Sequence, residues 1–177
     1  MIREAILIAG ATIVGNVVSV AAQIDPDLDQ TGKYAGVYLC LPEATGGVWY
    51  DDKSNKWLGV KFTLDNERIL FKIKKGETIE KITFLGRKTT TLGYSVKLGS
   101  VGSLEENGCY RWEEFRSALV PISNEGFFRC TSNVLDYTLN LDTMRYLAVF
   151  AYGFVDGRDN NNSTPSITAG KCSKISD

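Results

Sequence analysis

From residue 33 onward, apolar and polar positions alternate in short runs. Ile69, Phe71 and Ile73 are spaced by Leu70, Lys72 and Lys74; Leu92, Tyr94, Val96 and Leu98 are spaced by Gly93, Ser95 and Lys97. A period of two sends one set to a buried face and the other toward solvent, as in a strand with one covered side. The same reading predicts strands over 33–41, 48–50, 57–64, 68–74, 78–85, 92–98, 127–131, 135–141 and 145–155. Gly46-Gly47, the polar run 51–56 and Asp142-Thr143 mark turns, and Asp65-Asn66-Glu67 is expected to close a hairpin between 57–64 and 68–74. Residues 99–108, with three glycines, read as a flexible loop. One stretch has helical spacing: Trp112, Phe115 and Leu119 fall at i, i+3 and i+7 before Pro121. After Asp156 the chain is polar, with only Ile167, Cys172 and Ile175 to pack. Short strands with turns every 8 to 12 residues or so predict an all-β fold. The expected form is a single antiparallel β-barrel or barrel-like sandwich of about eight strands, with at most one short helix.

The first 22 residues break this pattern. Their apolar run is interrupted by Gly10, Gly15 and Asn16 and has no basic stop, which argues against a membrane span of about 20 apolar residues. A dinucleotide-binding loop fits poorly, because Thr12 occupies the place of the middle glycine. A cleavable secretory signal fits better: Arg3 supplies a positive start, the apolar stretch follows, and Val20-Ala21-Ala22 offers small side chains before a cut at Gln23. The expected organisation is a signal over 1–22, a flexible acidic leader over 23–32 and one domain over 33–177. The expected location is secreted or periplasmic, with no integral membrane span in the mature chain.

Composition then narrows the chemistry. The chain has 177 residues, a net charge of −1 and no histidine. Near-zero charge with interspersed signs argues against nucleic acid as a partner. Without histidine, Ser-His-Asp and Cys-His catalysis are excluded, as is the usual zinc ligand. No nucleophile–base motif remains, so the reading leans away from an enzyme and implies no cofactor. Cys40, Cys109, Cys130 and Cys172 contain no C-x-x-C pair, and in an exported chain they read as two disulfides. Three connectivities are open; Cys109 with Cys130 and Cys40 with Cys172 are favoured, the second tying the first mature strand to the C-terminal segment.

Three groups of residues are candidate sites. Trp49, Tyr50 and Trp57 flank one polar turn, where aromatics hold apolar ligands or stack on sugars, although the same rings also suit a core. Asp156, Asp159 and Asn161 supply oxygens of the kind Ca²⁺ takes, but without the glycine and closing glutamate of an EF-hand loop. Glu105-Glu106 and Glu113-Glu114 are carboxylate pairs with no spacing that places them across a cleft.

Two motifs carry a family resemblance. Lys33-Tyr34-Ala35-Gly36-Val37-Tyr38 resembles the K-Y-x-G-x-W of a lipocalin first strand, with Tyr38 at the tryptophan position. Leu135-Asp136-Tyr137 resembles the T-D-Y motif of the same family, with Leu135 at the threonine position. The resemblance implies an eight-stranded barrel that holds a small apolar ligand, with Tyr38 on the barrel floor. The function expected on these grounds is non-catalytic binding of a small apolar ligand outside the cytoplasm. The alternative is a protein-binding module, such as an enzyme inhibitor acting through loops, with 99–108 as its contact segment.

Overall fold

A computed structural model of the chain describes residues 23–64, 68–82, 88–103, 105–111 and 118–177. The expected signal, the helix-like stretch 112–117 and the turn 65–67 lie outside the described residues. Ten strands form one curled sheet: β1 (Gln23–Ile24), β2 (Gly36–Asp51), β3 (Lys56–Lys61), β4 (Ile69–Ile82), β5 (Lys88–Ser100), β6 (Asn107–Cys109), β7 (Phe127–Ser132), β8 (Leu135–Asn140), β9 (Arg145–Phe150) and β10 (Ser166–Ser176). The main order is β1-β5-β4-β2-β10-β9-β8-β7, with β3 on β2 and β6 on β5. A single 3₁₀ turn, Phe154–Asp156, is the one helical element among the described residues. The fold is thus the expected all-β, barrel-like one.

The alternation seen in sequence sets the curvature. Leu92, Tyr94, Val96 and Leu98 of β5 are all buried, and so are Phe71 and Ile73 of β4. They share one core with Tyr38, Leu139, Tyr146 and both cystines. The expected disulfides are those observed. Cys40 and Cys172 face each other across β2 and β10 with Cα atoms 3.9 Å apart, and Cys109 joins Cys130 with Cα atoms 5.3 Å apart. The second bond draws the two ends of the curled sheet together. β6 pairs with β5, while Tyr110 exchanges backbone hydrogen bonds of 3.0 and 3.2 Å with Thr131 in β7.

Four local expectations give way to the structure. Residues 57–64 and 68–74 do not form a hairpin: β3 and β4 both pair with β2, at Gly46–Asp51 and Gly36–Cys40 respectively. The long β2 runs straight through Pro42 and the Gly46-Gly47 pair, and hands one edge from β4 to β3 between them. Segment 99–108 is not a free loop. Val101 N–H bonds to Arg68 O at 3.1 Å, and Asn107–Cys109 returns to pair with Leu98, Lys97 and Val96. The C-terminal segment, expected to offer little packing, is a central strand with β2 on one side and β9 on the other.

The fourth correction concerns 23–32, read as a flexible acidic leader. Gln23 and Ile24 pair in parallel with Thr89 and Thr90, and Leu28 bridges to Ser123. Asp29 N–H bonds to Ile122 O at 2.8 Å, and Asn124 N–H to Asp27 O at 3.0 Å. With Val120–Asn124, this segment forms a plug over one end of the curled sheet. Tyr34 and Tyr38 lie just beneath it, the Tyr34 hydroxyl bonding to Asn124 O at 2.8 Å and the Tyr38 hydroxyl to Tyr34 O at 3.1 Å.

Candidate functional site

The end of the sheet opposite the plug is open. A cavity of about 410 Å³ sits there on the concave side, between Pro42 and Thr45 of β2, Ile69 of β4, Leu135 and Tyr137 of β8, Tyr146 and Ala148 of β9, and Ser166 and Thr168 of β10. Phe62, Thr63 and Leu64, on the chain leaving β3, form its remaining wall together with Thr164. Its size falls in the range of small-ligand sites. None of its thirteen lining residues is charged.

The sequence dictates why space is left here. At the closed end the inward positions carry Tyr38, Phe71 and Tyr94, which fill the interior. At the open end the inward positions of β2 and β10 shrink to Thr45, Thr168 and Gly170. A Cβ on Gly170 would collide with Leu41 O and the Tyr146 ring, so the glycine is required where β2, β10 and that ring crowd together. The small threonines leave the volume above unfilled.

Hydroxyls in the wall are already directed. Thr168 Oγ1 donates to Thr45 Oγ1 at 3.0 Å, and Thr45 Oγ1 donates to the Ile167 carbonyl at 3.3 Å. Thr164 Oγ1 likewise donates to the Asn161 carbonyl at 3.3 Å. A hydroxyl has one donor and two lone pairs. Once the proton is committed to a carbonyl, what remains for an occupant is acceptor capacity.

The three aromatics near the polar turn are divided between two faces. Tyr50 and Trp57 are cross-strand partners with ring centroids 5.5 Å apart, and Trp57 meets Phe154 edge-on, also at 5.5 Å. Trp49 pairs with Leu58 on the opposite face, where both are exposed. No one ligand can therefore contact all three rings from one side. Trp57 lines instead an open apolar groove of about 450 Å³ with Val48, Val149, Phe154, Val155 and Ile167 on the outer surface.

The candidate calcium residues hold that outer loop in place. Asn161 clamps the backbone of Tyr50 from both sides, accepting its N–H at 2.8 Å and donating to its carbonyl at 2.7 Å. Asp159 accepts the Trp57 indole N–H at 2.9 Å, and Asp156 accepts Arg158 N–H at 2.9 Å. Their oxygens are thus turned to separate protein partners. Among the described residues, no three Cys, Asp or Glu side chains converge as a metal site would require. Of the acidic pairs, Glu106 bonds to Lys72 and lies 3.6 Å from Lys97, while Glu113 and Glu114 lie outside the described residues. A further depression of about 900 Å³ lies on the outer face around Arg145, Leu147 and Lys171, with Lys171 paired to Glu43 at 2.8 Å. Despite its volume it is a hollow across exposed strand faces, whereas the open-end cavity is walled by five strands of the concave side and by the chain leaving β3.

One polar centre escapes the sequence reading altogether. Asp29 is buried and accepts the Thr31 hydroxyl at 2.7 Å, the N–H groups of Thr31 and Gly32 at 3.1 and 2.9 Å, and the Tyr94 hydroxyl. Burial alone would raise its pKa. Donation from Thr31, Tyr94 and the two backbone amides outweighs it and holds the carboxyl below the usual value. Burial first, and then the Asp29 charge, push the Tyr94 phenol up. The signal in the chain was Asp29-Gln30-Thr31-Gly32, a run suited to an Asx turn. This centre locks the plug to β5.

No helix among the described residues is long and apolar enough to cross a membrane. No family model, curated protein or solved structure matches the chain.

Proposed function

We propose that the protein is an exported, non-catalytic binding protein that holds a small uncharged ligand in the cavity at the open end of its curled sheet. The observation that carries this reading is the cavity itself: about 410 Å³, concave, pre-formed by rigid strands and lined without a single charged side chain. Of the apolar or amphipathic ligands expected from sequence, the threonine and serine hydroxyls in the wall favour one with polar groups. Two disulfides support an oxidising compartment, where such bonds persist. The lipocalin-like motifs support the same assignment: Tyr38 lies at the closed end, and Leu135 and Tyr137 lie at the open one. The loop-acting inhibitor reading draws less support, because both ends of its segment, at Val101 and at Asn107-Gly108, are bonded to the sheet.

Thermal unfolding in the presence of neutral ring compounds (phenol, benzyl alcohol, cyclohexanol and methyl glucoside) tests the proposal. At least one should raise the midpoint of the parent chain. That shift should vanish in Leu135→Trp, which fills the cavity, and persist in Phe154→Ser, which alters only the outer groove. Shifts that survive Leu135→Trp, or no shift with any compound, would overturn it.

A further inference from the structure

The wall of the cavity specifies more than size. Thr168 gives its proton to Thr45, and Thr45 gives its proton to the Ile167 carbonyl. The direction of this relay is fixed, because a carbonyl oxygen only accepts. Thr164 is committed in the same way to the Asn161 carbonyl. Thr168, Thr45 and Thr164 are thus acceptors toward the cavity, and the other aliphatic hydroxyls of its wall are those of Thr63 and Ser166. At those three positions an occupant whose polar atoms only accept would set lone pair against lone pair, a cost of roughly 1–3 kcal/mol per buried group left unpaired. An occupant with a net charge would find no counter-charge in the lining. The half-buried Phe62 offers a ring face in the same lining, and Tyr137 and Tyr146, both buried, back the wall from the core.

Resting on the binding reading above, we propose that the ligand is a neutral hydroxylated ring of saccharide type, whose O–H groups donate to Thr168, Thr45 and Thr164 while its C–H face lies on the aromatic wall. Such a molecule combines the three properties the wall demands: donors on its rim, an apolar face and no charge. A fatty chain would leave the threonine lone pairs unpaired, and a uronic acid would bury its carboxylate without a partner.

Saturation-transfer NMR with the full chain tests this, using the methyl pyranosides of glucose, galactose and mannose, their per-O-methylated forms, methyl glucuronide and 1-octanol. At least one methyl pyranoside should bind, and its per-O-methylated form, which keeps ring and acceptors but loses every donor, should bind about tenfold or more weakly. Thr168→Val should weaken the pyranoside roughly five- to tenfold, and Thr168→Ser, which restores the hydroxyl, should recover most of the loss. If Thr168→Val fails to fold, the comparison of methylated and free pyranosides on the parent chain still decides. Tighter binding of 1-octanol or of the per-O-methylated sugar, lost in Leu135→Trp, would overturn the saccharide assignment and leave the cavity as a binding site. Equal binding of glucuronide and glucoside would overturn the assignment too. Absence of binding by every probe would remove both readings together.

Discussion

Asp29 shows how one side chain decides whether an N-terminal segment hangs free or closes a fold. Its carboxylate gathers four donors, from Thr31 twice, Gly32 and Tyr94, in a buried setting. An amide in its place cannot accept from all of them, so Asp29→Asn should cost about 2 to 4 kcal/mol in urea unfolding at pH 7. Tyr94→Phe removes one donor and should cost about 1 to 3 kcal/mol. The pH dependence has a definite sign. The native carboxyl is held below its unfolded value of about 3.9, so the unfolded chain binds the proton more readily as pH falls. The stabilisation should therefore be complete above about pH 5 and shrink as pH drops through the unfolded and then the native pKa. In parallel titrations, the gap between the parent and Asp29→Asn should be constant from about pH 5 to 8 and narrow below about pH 4. A gap that widens on acidification would show that the carboxyl is neutral in the native plug.

Among the elements, β10 was least legible and is most central. It buries few apolar side chains: Ile167 and Ile175 are both exposed. Its place is held by two antiparallel ladders and by Cys172, opposite Cys40. Hydrophobic alternation reports burial, and this strand is stabilised mainly by backbone pairing and a cross-link, which leave no such trace. Cys40→Ser and Cys172→Ser should each lower stability by on the order of 4 kcal/mol, and the double variant should lose no more than either single one. Additive losses would contradict a shared bond. Gly170→Val forces a side chain into the crowded spot between Leu41 O and Tyr146, so its thermal midpoint should fall by several degrees or more. An unchanged midpoint would show that the strands there have room to separate. The cysteine pairing was legible because topology makes first and last strands neighbours in a closed barrel. The buried faces of β4 and β5 were legible over 69–73 and 92–98, where apolar residues recur at every second position; the irregularity between Lys75 and Thr78 is what made β4 read as two strands. The long β2 was not legible: Gly46-Gly47 read as punctuation, yet with Pro42 the pair sits where the strand changes partners, at positions a continuous sheet tolerates.

At the scale of the whole molecule, the chain is polarised. The plug of 23–32 and 120–124 seals one end over Tyr34, Tyr38 and Tyr94, and the other end stays open over threonines and a glycine. That asymmetry is invisible in any single segment. It arises because β2, β4 and β5 carry Tyr38, Phe71 and Tyr94 inward at one end of the sheet while β2 and β10 carry small inward residues at the other, and only the register brings the small ones together. The candidate aromatics drew attention in sequence because they cluster along the chain, but pairing between β2 and β3 divides them between faces. The lining of the cavity comes from five strands and from the chain between them, so no local motif announces it.

The most direct measurement is a chemical-shift map of the ¹⁵N- and methyl-labelled chain titrated with whichever neutral ring compound raises its thermal midpoint most. The cavity account predicts that Thr45, Ile69, Leu135, Ala148 and Thr168 move together and saturate with one affinity, while the plug and the outer loop stay still. Saturating shifts confined to Val48, Phe154, Val155 and Ile167 would place binding in the outer groove and contradict it.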